Sequence, residues 1–192
     1  MQLTWYGHSC FLLTAESGYS ILTDPCGRET GYNLHDIECD TVTVSHDHHD
    51  HNCLASVAGT PEVIRTPGEH LAGDIPVTGF LSYHDDAQGA NRGENIVFRY
   101  QIDGLHILHL GDLGHMLSSE TIEKIGPVDI LFAPIGGVFT INAKTATELS
   151  DRLQAKVLIP MHYKTPVLHF NIEGLEPLLA ANAGRRVHYL NA

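Results

Sequence analysis

The chain has 192 residues, 43% of them hydrophobic, and its 23 aspartate and glutamate residues outnumber 11 lysine and arginine residues for a formal charge of −12. This length can bury a substantial core and predicts one domain over residues 1–192. The acidic charge, without any basic run, argues against a surface that follows a nucleic-acid backbone, and no apolar run approaches the roughly 18 residues of a membrane span.

The first residues lack the pattern of an export signal. Residues 1–14 have no basic start and no long apolar stretch before a small-residue cleavage site, so we expect a cytoplasmic protein that does not engage a membrane. The four cysteines include no Cys-x-x-Cys pair. In that compartment we expect reduced thiols rather than a disulfide framework.

The N-terminal residues predict an antiparallel group of strands. Turns separate three short β-type runs, at residues 3–5, 10–14 and 19–23. Asp24-Pro25 ends the third run, because proline cannot donate a hydrogen bond to a sheet. His8 lies in the first turn, where it is either an ordinary loop histidine or a residue near a functional site.

Several histidines follow a predicted strand directly. After an irregular loop at residues 26–40, residues 41–45 alternate polar and β-branched side chains, which is typical of a strand with one buried face. The next residues read His46-x-His48-x-Asp50-His51. His46 and His48 point to the same side of an extended backbone and can hold one metal ion, while Asp50 and His51 can serve a second ion. A solvated polar loop is the alternative, but four clustered donors are costly to desolvate without a cation.

The middle of the chain alternates predicted strands with turns. We expect, in order, a short helix at 52–58, a strand at 63–65, a turn at 67–69, one or two strands at 75–83, a loop at 85–95 and a hairpin of 96–100 with 105–110 around Asp103-Gly104. His84 follows the 75–83 stretch, and a strand end before a polar turn suits a ligand. Gly111 permits close backbone approach, so the Asp112 carboxylate can bridge two ions, unless it is an exposed turn aspartate. We expect His106, His109 and His115 to be buried and hydrogen-bonded rather than ligands.

The C-terminal third predicts helices that alternate with strands. Helices are expected at 118–125, with Ser118 as N-cap, at 143–153 and at 173–183. Buried strands are expected at 128–133 and 157–160, and a closing strand at 186–190. The 157–160 strand would deliver His162 at its tip.

The motifs occur in an order that resembles the metallo-β-lactamase superfamily. The signature of that superfamily is His-x-His-x-Asp-His after a strand. Four further landmarks of the superfamily occur in this chain in the same order as in the superfamily, and together they extend over nearly the whole chain. They are Asp24 in Leu-Thr-Asp-Pro, His84 in Ser-Tyr-His-Asp, Asp112 in His-Leu-Gly-Asp-Leu-Gly and His162 in Pro-Met-His-Tyr. The turns Gly7-His8-Ser9-Cys10-Phe11 and Pro134-Ile135-Gly136-Gly137 look like a small branch of metal-dependent hydrolases akin to L-ascorbate-phosphate lactonase.

The resemblance implies a fold and a ligand set. The expected fold is α/β, a four-layer αββα sandwich in which two sheets pack face to face under outer helices. The first metal is expected on His46, His48 and His84, the second on Asp50, His51 and His162, and Asp112 on both. Asp24, and with it His8, would support the site by orienting ligands instead of binding metal.

The resemblance also implies two divalent metal ions. Imidazole and carboxylate donors without thiolate suit zinc, and manganese or iron can use the same set. The oxygen-reducing diiron branch of the superfamily has glutamate where this chain has His48, which favours zinc and hydrolysis over redox chemistry.

The expected reaction is hydrolysis by a hydroxide that bridges the two metals. The reacting centre would comprise Asp50, Asp112 and His162, and either of the last two can pass a proton to the leaving group. An ester, lactone or phosphodiester of a small molecule is the first choice of substrate. An anionic group on it would need the metals or Arg28, Arg92 or Lys164 to receive it, and a solvated surface charge is the favoured alternative for these side chains.

Other functions remain as alternatives. Thiolester hydrolysis within the same superfamily stays open, whereas the missing export signal disfavours a β-lactamase proper, and the short, acidic chain disfavours an RNA-cleaving member. A non-catalytic metal-binding module is the alternative from another class, although its site would usually be closed by four tight ligands on one ion.

Overall fold

The structure is a computed structural model that describes residues 1–189 and contains two β-sheets. The first sheet consists of β1 (Gln2–Gly7), β2 (Cys10–Thr14), β3 (Ser20–Thr23), β4 (Thr41–Thr43) and β5 (Glu62–Ile64) in that spatial order. The second sheet has the spatial order β11 to β6, with β6 (Gly68–Ala72), β7 (Ile75–Tyr83), β8 (Glu94–Ile102), β9 (Leu105–His109), β10 (Ile130–Pro134) and β11 (Val157–Met161). The helices are α1 (Ser119–Ile125), α2 (Ala143–Arg152) and α3 (Glu176–Ala181).

Connection length decides the direction of each pair of strands. The tight turns β1–β2, β2–β3, β6–β7 and β8–β9 join antiparallel neighbours, and Asp103-Gly104 makes the last of these turns. Longer connections join the parallel pairs β3–β4, β4–β5, β9–β10 and β10–β11. The α/β sandwich predicted from the sequence is therefore confirmed.

The core lies between the two sheets. Phe11 on β2 and Phe132 on β10 are both buried, and their ring centroids are 4.2 Å apart. Tyr100 on β8 is fully buried, and its hydroxyl lies 2.7 Å from the Thr43 hydroxyl on β4. This pair satisfies two polar groups that burial would otherwise leave without partners.

Helices α1 and α2 begin where the sequence predicts, whereas α3 begins at Glu176 instead of residue 173, and all three follow strands of the second sheet. Ser118 and Asn142 cap α1 and α2, because their side-chain oxygens accept hydrogen bonds from the Thr121 and Thr145 amides. Between the strands of the first sheet the described residues form only 3₁₀ turns, at Arg28–Thr30 and Leu54–Ser56. No helix among residues 1–189 is long and apolar enough to cross a bilayer.

Four local predictions are wrong. The expected helix at 52–58 contracts to the 3₁₀ turn Leu54–Ser56. The expected turn at 67–69 is instead the start of β6, which pairs with the edge of β7 although its own side chains show no clear alternation. β11 is an edge strand rather than a buried one, with Val157 48% exposed. Residues 186–189 form no strand, and Leu190 of the predicted closing strand lies outside the described residues.

Candidate metal centre

The candidate ligands meet where strands of both sheets end. Residues 46–51 follow β4 of the first sheet, whereas His84, Asp112 and His162 follow β7, β9 and β11 of the second sheet. All are buried except His48, which is partly exposed. The structure therefore brings together every residue that the sequence analysis named as a metal ligand.

The first group consists of His46, His48 and His84. Their ligand nitrogens lie within 4.8 Å of one another. Their ring centroids are 4.6 Å apart for His46 and His48, 4.9 Å for His46 and His84, and 5.1 Å for His48 and His84. Three imidazoles at these separations form one face of a coordination shell with room for further ligands.

The Asp112 carboxylate lies at the centre of the cluster. Its Oδ2 is 3.1 Å from Nε2 of His84 and 3.1 Å from Nε2 of His162. Its Oδ1 is 3.1 Å from Nε2 of His51, and Oδ2 is 3.9 Å from Nε2 of His46. One carboxylate thus faces histidines from both predicted metal sites, which is the position of a bridging ligand.

The donor atoms fit a cation better than they fit one another. Nε2 of His46, Nε2 of His51 and Oδ1 of Asp112 are buried without an aligned hydrogen bond, although His51 and Asp112 are close. Burying such atoms unpaired costs about 1–3 kcal/mol each. Metal ligation would satisfy all three, so the residues fit the metal ions that the donor set implies.

The second group contains Asp50, His51 and His162, and also His8. The ligand atoms of these four buried residues lie within 4.8 Å of one another. Nε2 of His8 is 3.3 Å from Oδ2 of Asp50, and Nε2 of His51 is 3.7 Å from the same oxygen. His8 is therefore inside the cluster, which the sequence could not decide.

Asp24 holds the cluster from behind. Its carboxylate accepts hydrogen bonds from the Ser45 amide at 2.7 Å and the Ser45 hydroxyl at 2.6 Å, and its Oδ2 is 2.8 Å from Nδ1 of His51. With Nδ1 of His51 paired in this way, Nε2 faces Asp112. This arrangement agrees with the orienting role that the resemblance implies for Asp24.

The charges of the cluster suit ligation at neutral pH. Burial lowers the pKa of His46 to about 3, with a further contribution from His51, so this imidazole is neutral. Burial raises the pKa of Asp112, but His162 and His51 outweigh it and hold the pKa well below its usual range. Burial also lowers the pKa of His51, which the Asp112 and Asp50 carboxylates then raise well above its usual value. A cation would take the place of the proton on His51.

The backbone is strained at three positions of the cluster. His8, Asp24 and His162 have φ values of 51°, 35° and 48°, in the left-handed region that non-glycine residues rarely adopt. Such conformations cost of the order of 1–3 kcal/mol each and concentrate at functional sites.

Gly111 and Asn95 position Asp112, and the sequence analysis missed Asn95. Gly111 has a φ of 55°, and a Cβ there would meet the side chains of Asn95 and Ser45. The buried Asn95 accepts a hydrogen bond from the Asp112 amide at 2.9 Å and donates to the Leu110 carbonyl. One asparagine at the end of a predicted loop gave no signal of this role, which depends on the pairing of β7, β8 and β9.

The three cations named from the sequence have different surroundings. Nζ of Lys164 donates to the carbonyls of Leu168 and Phe170, so this lysine holds its own loop. The Arg92 guanidinium lies 5.6 Å from the centre of the partly exposed Phe139 ring. Arg28 lies in the exposed 3₁₀ turn after β3. Of these three cations, Arg92 and Arg28 therefore have charged groups that are available to bind an anion, and Lys164 does not.

His106, His109 and His115 are hydrogen-bonded outside the cluster, as the sequence predicts, but of the three only His109 is buried, and the other two are half-buried. A ring nitrogen of His106 lies 2.6 Å from the Arg99 guanidinium, Nε2 of His109 lies 3.0 Å from the Ser9 carbonyl, and Nδ1 of His115 lies 2.9 Å from the Met116 carbonyl.

Comparison with known proteins relates the chain to metal-dependent hydrolases. The family described as the β-lactamase superfamily domain matches residues 2–162. A UPF0173 metal-dependent hydrolase of Carboxydothermus hydrogenoformans is 31% identical, in an alignment that covers 88% of this chain and 87% of that protein. Another protein of that name, from Methanoregula boonei, is 30% identical over 86% of this chain and 83% of its own length. A solved structure from Thermotoga maritima, classed as a zinc-dependent hydrolase of the metallo-β-lactamase superfamily, is similar with a TM-score of 0.78 and 40% identity, covering 93% of this chain and 84% of that one.

Proposed function

The chain belongs to the metallo-β-lactamase superfamily, and on that premise we propose that it hydrolyses its substrate with the help of two divalent cations. Membership of a family of metal-dependent hydrolases makes hydrolysis the class of reaction. The number of cations, their identity and the bond that is cleaved are the parts that we propose.

One observation carries the proposal of two cations. The Asp112 carboxylate has one oxygen beside His84 and His162 and the other beside His51. This single side chain therefore contacts histidines of both groups. A single closed site would need only four donors on one ion, as structural zinc sites have. The seven predicted ligands instead divide into two sets that share Asp112, which favours catalysis over a purely structural or sensing module.

Each side chain has a definite part in this arrangement. His46, His48 and His84 would hold the first cation, and Asp50, His51 and His162 the second, with Asp112 between them. Two such cations, when bound, lower the pKa of water from 15.7 toward about 7 and so supply a nucleophile at neutral pH. Asp50, Asp112 and His162 would line the reacting centre.

Proton transfer to the leaving group falls to Asp112 or His162. Their side chains are 3.1 Å apart and both lie at the centre of the cluster. Because the pKa of the Asp112 carboxylate is held well below its usual range, this group is a weak base that stays ionised, which favours the His162 imidazole as the group that carries the proton.

The donors favour zinc, and the surroundings favour a small substrate. Nitrogen and carboxylate donors in a buried cluster without thiolate suit zinc, and manganese or iron remain possible in the same set. The acidic chain disfavours a nucleic-acid substrate. We therefore propose a lactone, ester or phosphodiester of a small molecule as substrate, with thiolester hydrolysis as the alternative.

Metal analysis together with an activity screen tests the proposal. Purified protein should contain close to two equivalents of divalent metal and should cleave at least one of a lactone panel, bis-p-nitrophenyl phosphate or a thiolester panel. Asp112→Ala should lose both metal and activity, because it removes the ligand shared by the two groups. The matched control is His49→Ala, since His49 lies within the same motif but is exposed and belongs to neither group. Full activity of a chelated sample would refute a metal-dependent reaction.

A further inference from the structure

We propose that His8 is itself a ligand of the second cation, as the third histidine of a set completed by His51 and His162. This inference rests on the proposed function, because it presupposes that a cation occupies this group. It changes the role expected for His8 from orienting a ligand to being one.

The two groups of histidines have matching geometry. The rings of the first group are separated by 4.6, 4.9 and 5.1 Å. In the second group, the His8 ring is 4.3 Å from His162 and 5.2 Å from His51, and His51 is 5.9 Å from His162. Without His8 the second group has only two imidazoles, whose centroids are the farthest apart of either group. With His8 each half of the site becomes a face of three imidazoles.

The distance between His8 and Asp50 agrees with shared coordination. Nε2 of His8 lies 3.3 Å from Oδ2 of Asp50. Two ligands about 2.0–2.1 Å from one zinc ion at a tetrahedral angle lie about 3.3 Å apart. A hydrogen bond alone would also allow this distance between His8 and Asp50, so the placement of the whole His8 ring must be considered as well.

The His8 ring is oriented like the rings of His84 and His162, two of the predicted metal ligands. In His84 and His162, Nε2 faces the Asp112 carboxylate and Nδ1 is buried without a protein partner. In His8, Nε2 faces the Asp50 carboxylate and Nδ1 is likewise buried without a partner. The His8 ring is therefore placed against a carboxylate in the same way as the rings of these two ligand candidates.

The turn between β1 and β2 is built to aim this ring inward. His8 has a φ of 51°, and Gly7 before it has a φ of 115°, where a Cβ would overlap the Tyr32 ring. The Trp5 indole also donates to the His8 carbonyl at 3.1 Å. The chain accepts an uncommon backbone conformation here, and the result is an imidazole that is only 2% exposed inside the cluster.

Two substitutions separate a ligand from a hydrogen-bond donor. His8→Gln keeps an N–H group near the position of Nε2, toward Asp50, but an amide is a poor zinc ligand. Glutamine also adopts the left-handed backbone in this chain, at Gln88 and Gln154. If His8 binds the cation, His8→Gln should weaken the second metal equivalent by more than about 100-fold, beyond the 10–100-fold typical of residues that only support a ligand. His8→Cys, loaded with Co²⁺, should show a thiolate-to-cobalt charge-transfer band that is absent from the Co²⁺ spectrum of the unsubstituted protein with its own four cysteines.

The controls keep the two proposals apart. His49→Cys places a thiol on the exposed histidine of the same motif and should give no such band, and circular dichroism should show all variants folded. If the unsubstituted protein binds two equivalents, while His8→Gln also binds two with unchanged affinity and His8→Cys gives no band, the role of His8 as a ligand is refuted and the two-cation proposal stands. If the unsubstituted protein binds only one equivalent, both fall.

Discussion

Replacing Asp24 by asparagine should impair the metal site without touching a ligand. The buried carboxylate accepts from the Ser45 amide and hydroxyl and pairs with Nδ1 of His51. In Asp24→Asn the amide oxygen must stay toward the Ser45 amide, which can only donate. The new NH₂ group then faces Nδ1 of His51 and also donates. His51 relieves this conflict by moving its proton to Nε2, the atom that faces Asp112 and would bind metal.

The size of the effect follows from these contacts. A carboxylate that orients a metal-binding histidine is worth about 10–100-fold in metal affinity, or about 1.4–2.7 kcal/mol. Without metal, the loss of charged hydrogen bonds in a buried position should lower the free energy of unfolding by about 1–3 kcal/mol. The cation held by His51 should be affected most, because His51 is the histidine that Asp24 contacts directly. Asp24 reaches the first group only through the Ser45 hydroxyl, which lies 2.9 Å from Nδ1 of His46, so a smaller effect is expected there.

Competition titration with a metal chelator measures the two affinities separately, and urea unfolding of the chelated protein measures stability. Asp40→Asn is a close control, because Asp40 also accepts from the amide and hydroxyl of one serine, Ser20, but is exposed and lies away from the cluster. If Asp24→Asn binds both equivalents within threefold of the unsubstituted protein, Asp24 does not set the tautomer of His51, and the reasoning is wrong.

Two further substitutions test the frame around the site. Gly111→Ala should lower the free energy of unfolding by more than about 2 kcal/mol, because it combines a left-handed φ of 55° with a Cβ that meets Asn95 and Ser45. Gly104→Ala, at a φ of 77° with open space around it, should show only the backbone cost of about 1–2 kcal/mol. Equal losses of the two variants in urea unfolding would contradict the steric argument. Asp85 accepts hydrogen bonds from the amides of Ala87, Gly89, Asn91 and Arg92, and although burial raises its pKa, these bonds outweigh it and lower the value to about 2. Because the folded pKa lies below the unfolded value, this carboxylate contributes stability that is fully present above about pH 4 and is lost as the pH falls through about 2. Hydrogen-exchange protection of the loop at residues 85–93, taken relative to the intrinsic rate at each pH, should therefore fall over that window in the unsubstituted protein and change less in Asp85→Asn.

The sequence predicted the candidate site better than it predicted some of the fold. The ligands His46 to His51 form one short motif, and the others follow strands whose apolar patterns are clear, so resemblance and pattern together named them. β6 escaped prediction because Gly68–Ala72 is an edge strand that forms by pairing with β7 rather than through its own alternation. The 3₁₀ turn Leu54–Ser56 and the exposure of β11 likewise depend on the neighbouring elements in the fold, which the local sequence pattern does not specify. The single domain, the cytoplasmic location and the small-molecule substrate stay predictions.

Residues that position a ligand candidate without being one themselves were the hardest to predict from the sequence. Ser45 belongs to the first sheet and Asn95 to the second, yet the Ile96 amide donates to the Ser45 carbonyl at 2.8 Å, and Gly111 fits between the two side chains. Neither residue type carries a chemical signal alone. Their importance exists only once the two sheets are packed, and no pattern within either segment encodes that contact.

The division of ligands between the sheets links metal binding to the closure of the sandwich. His8, Asp24 and residues 46–51 belong to the first sheet, and Asp24 fixes His51 within it. His84, Asp112 and His162 belong to the second, and Asn95 fixes Asp112 within it. Each half therefore orders its own ligands, but the contacts of Asp112 with His51 and of His8 with His162 form only across the boundary. Cations that bind both halves stabilise the closed sandwich over any state in which the sheets separate, since the separated halves would each hold only part of either ligand set.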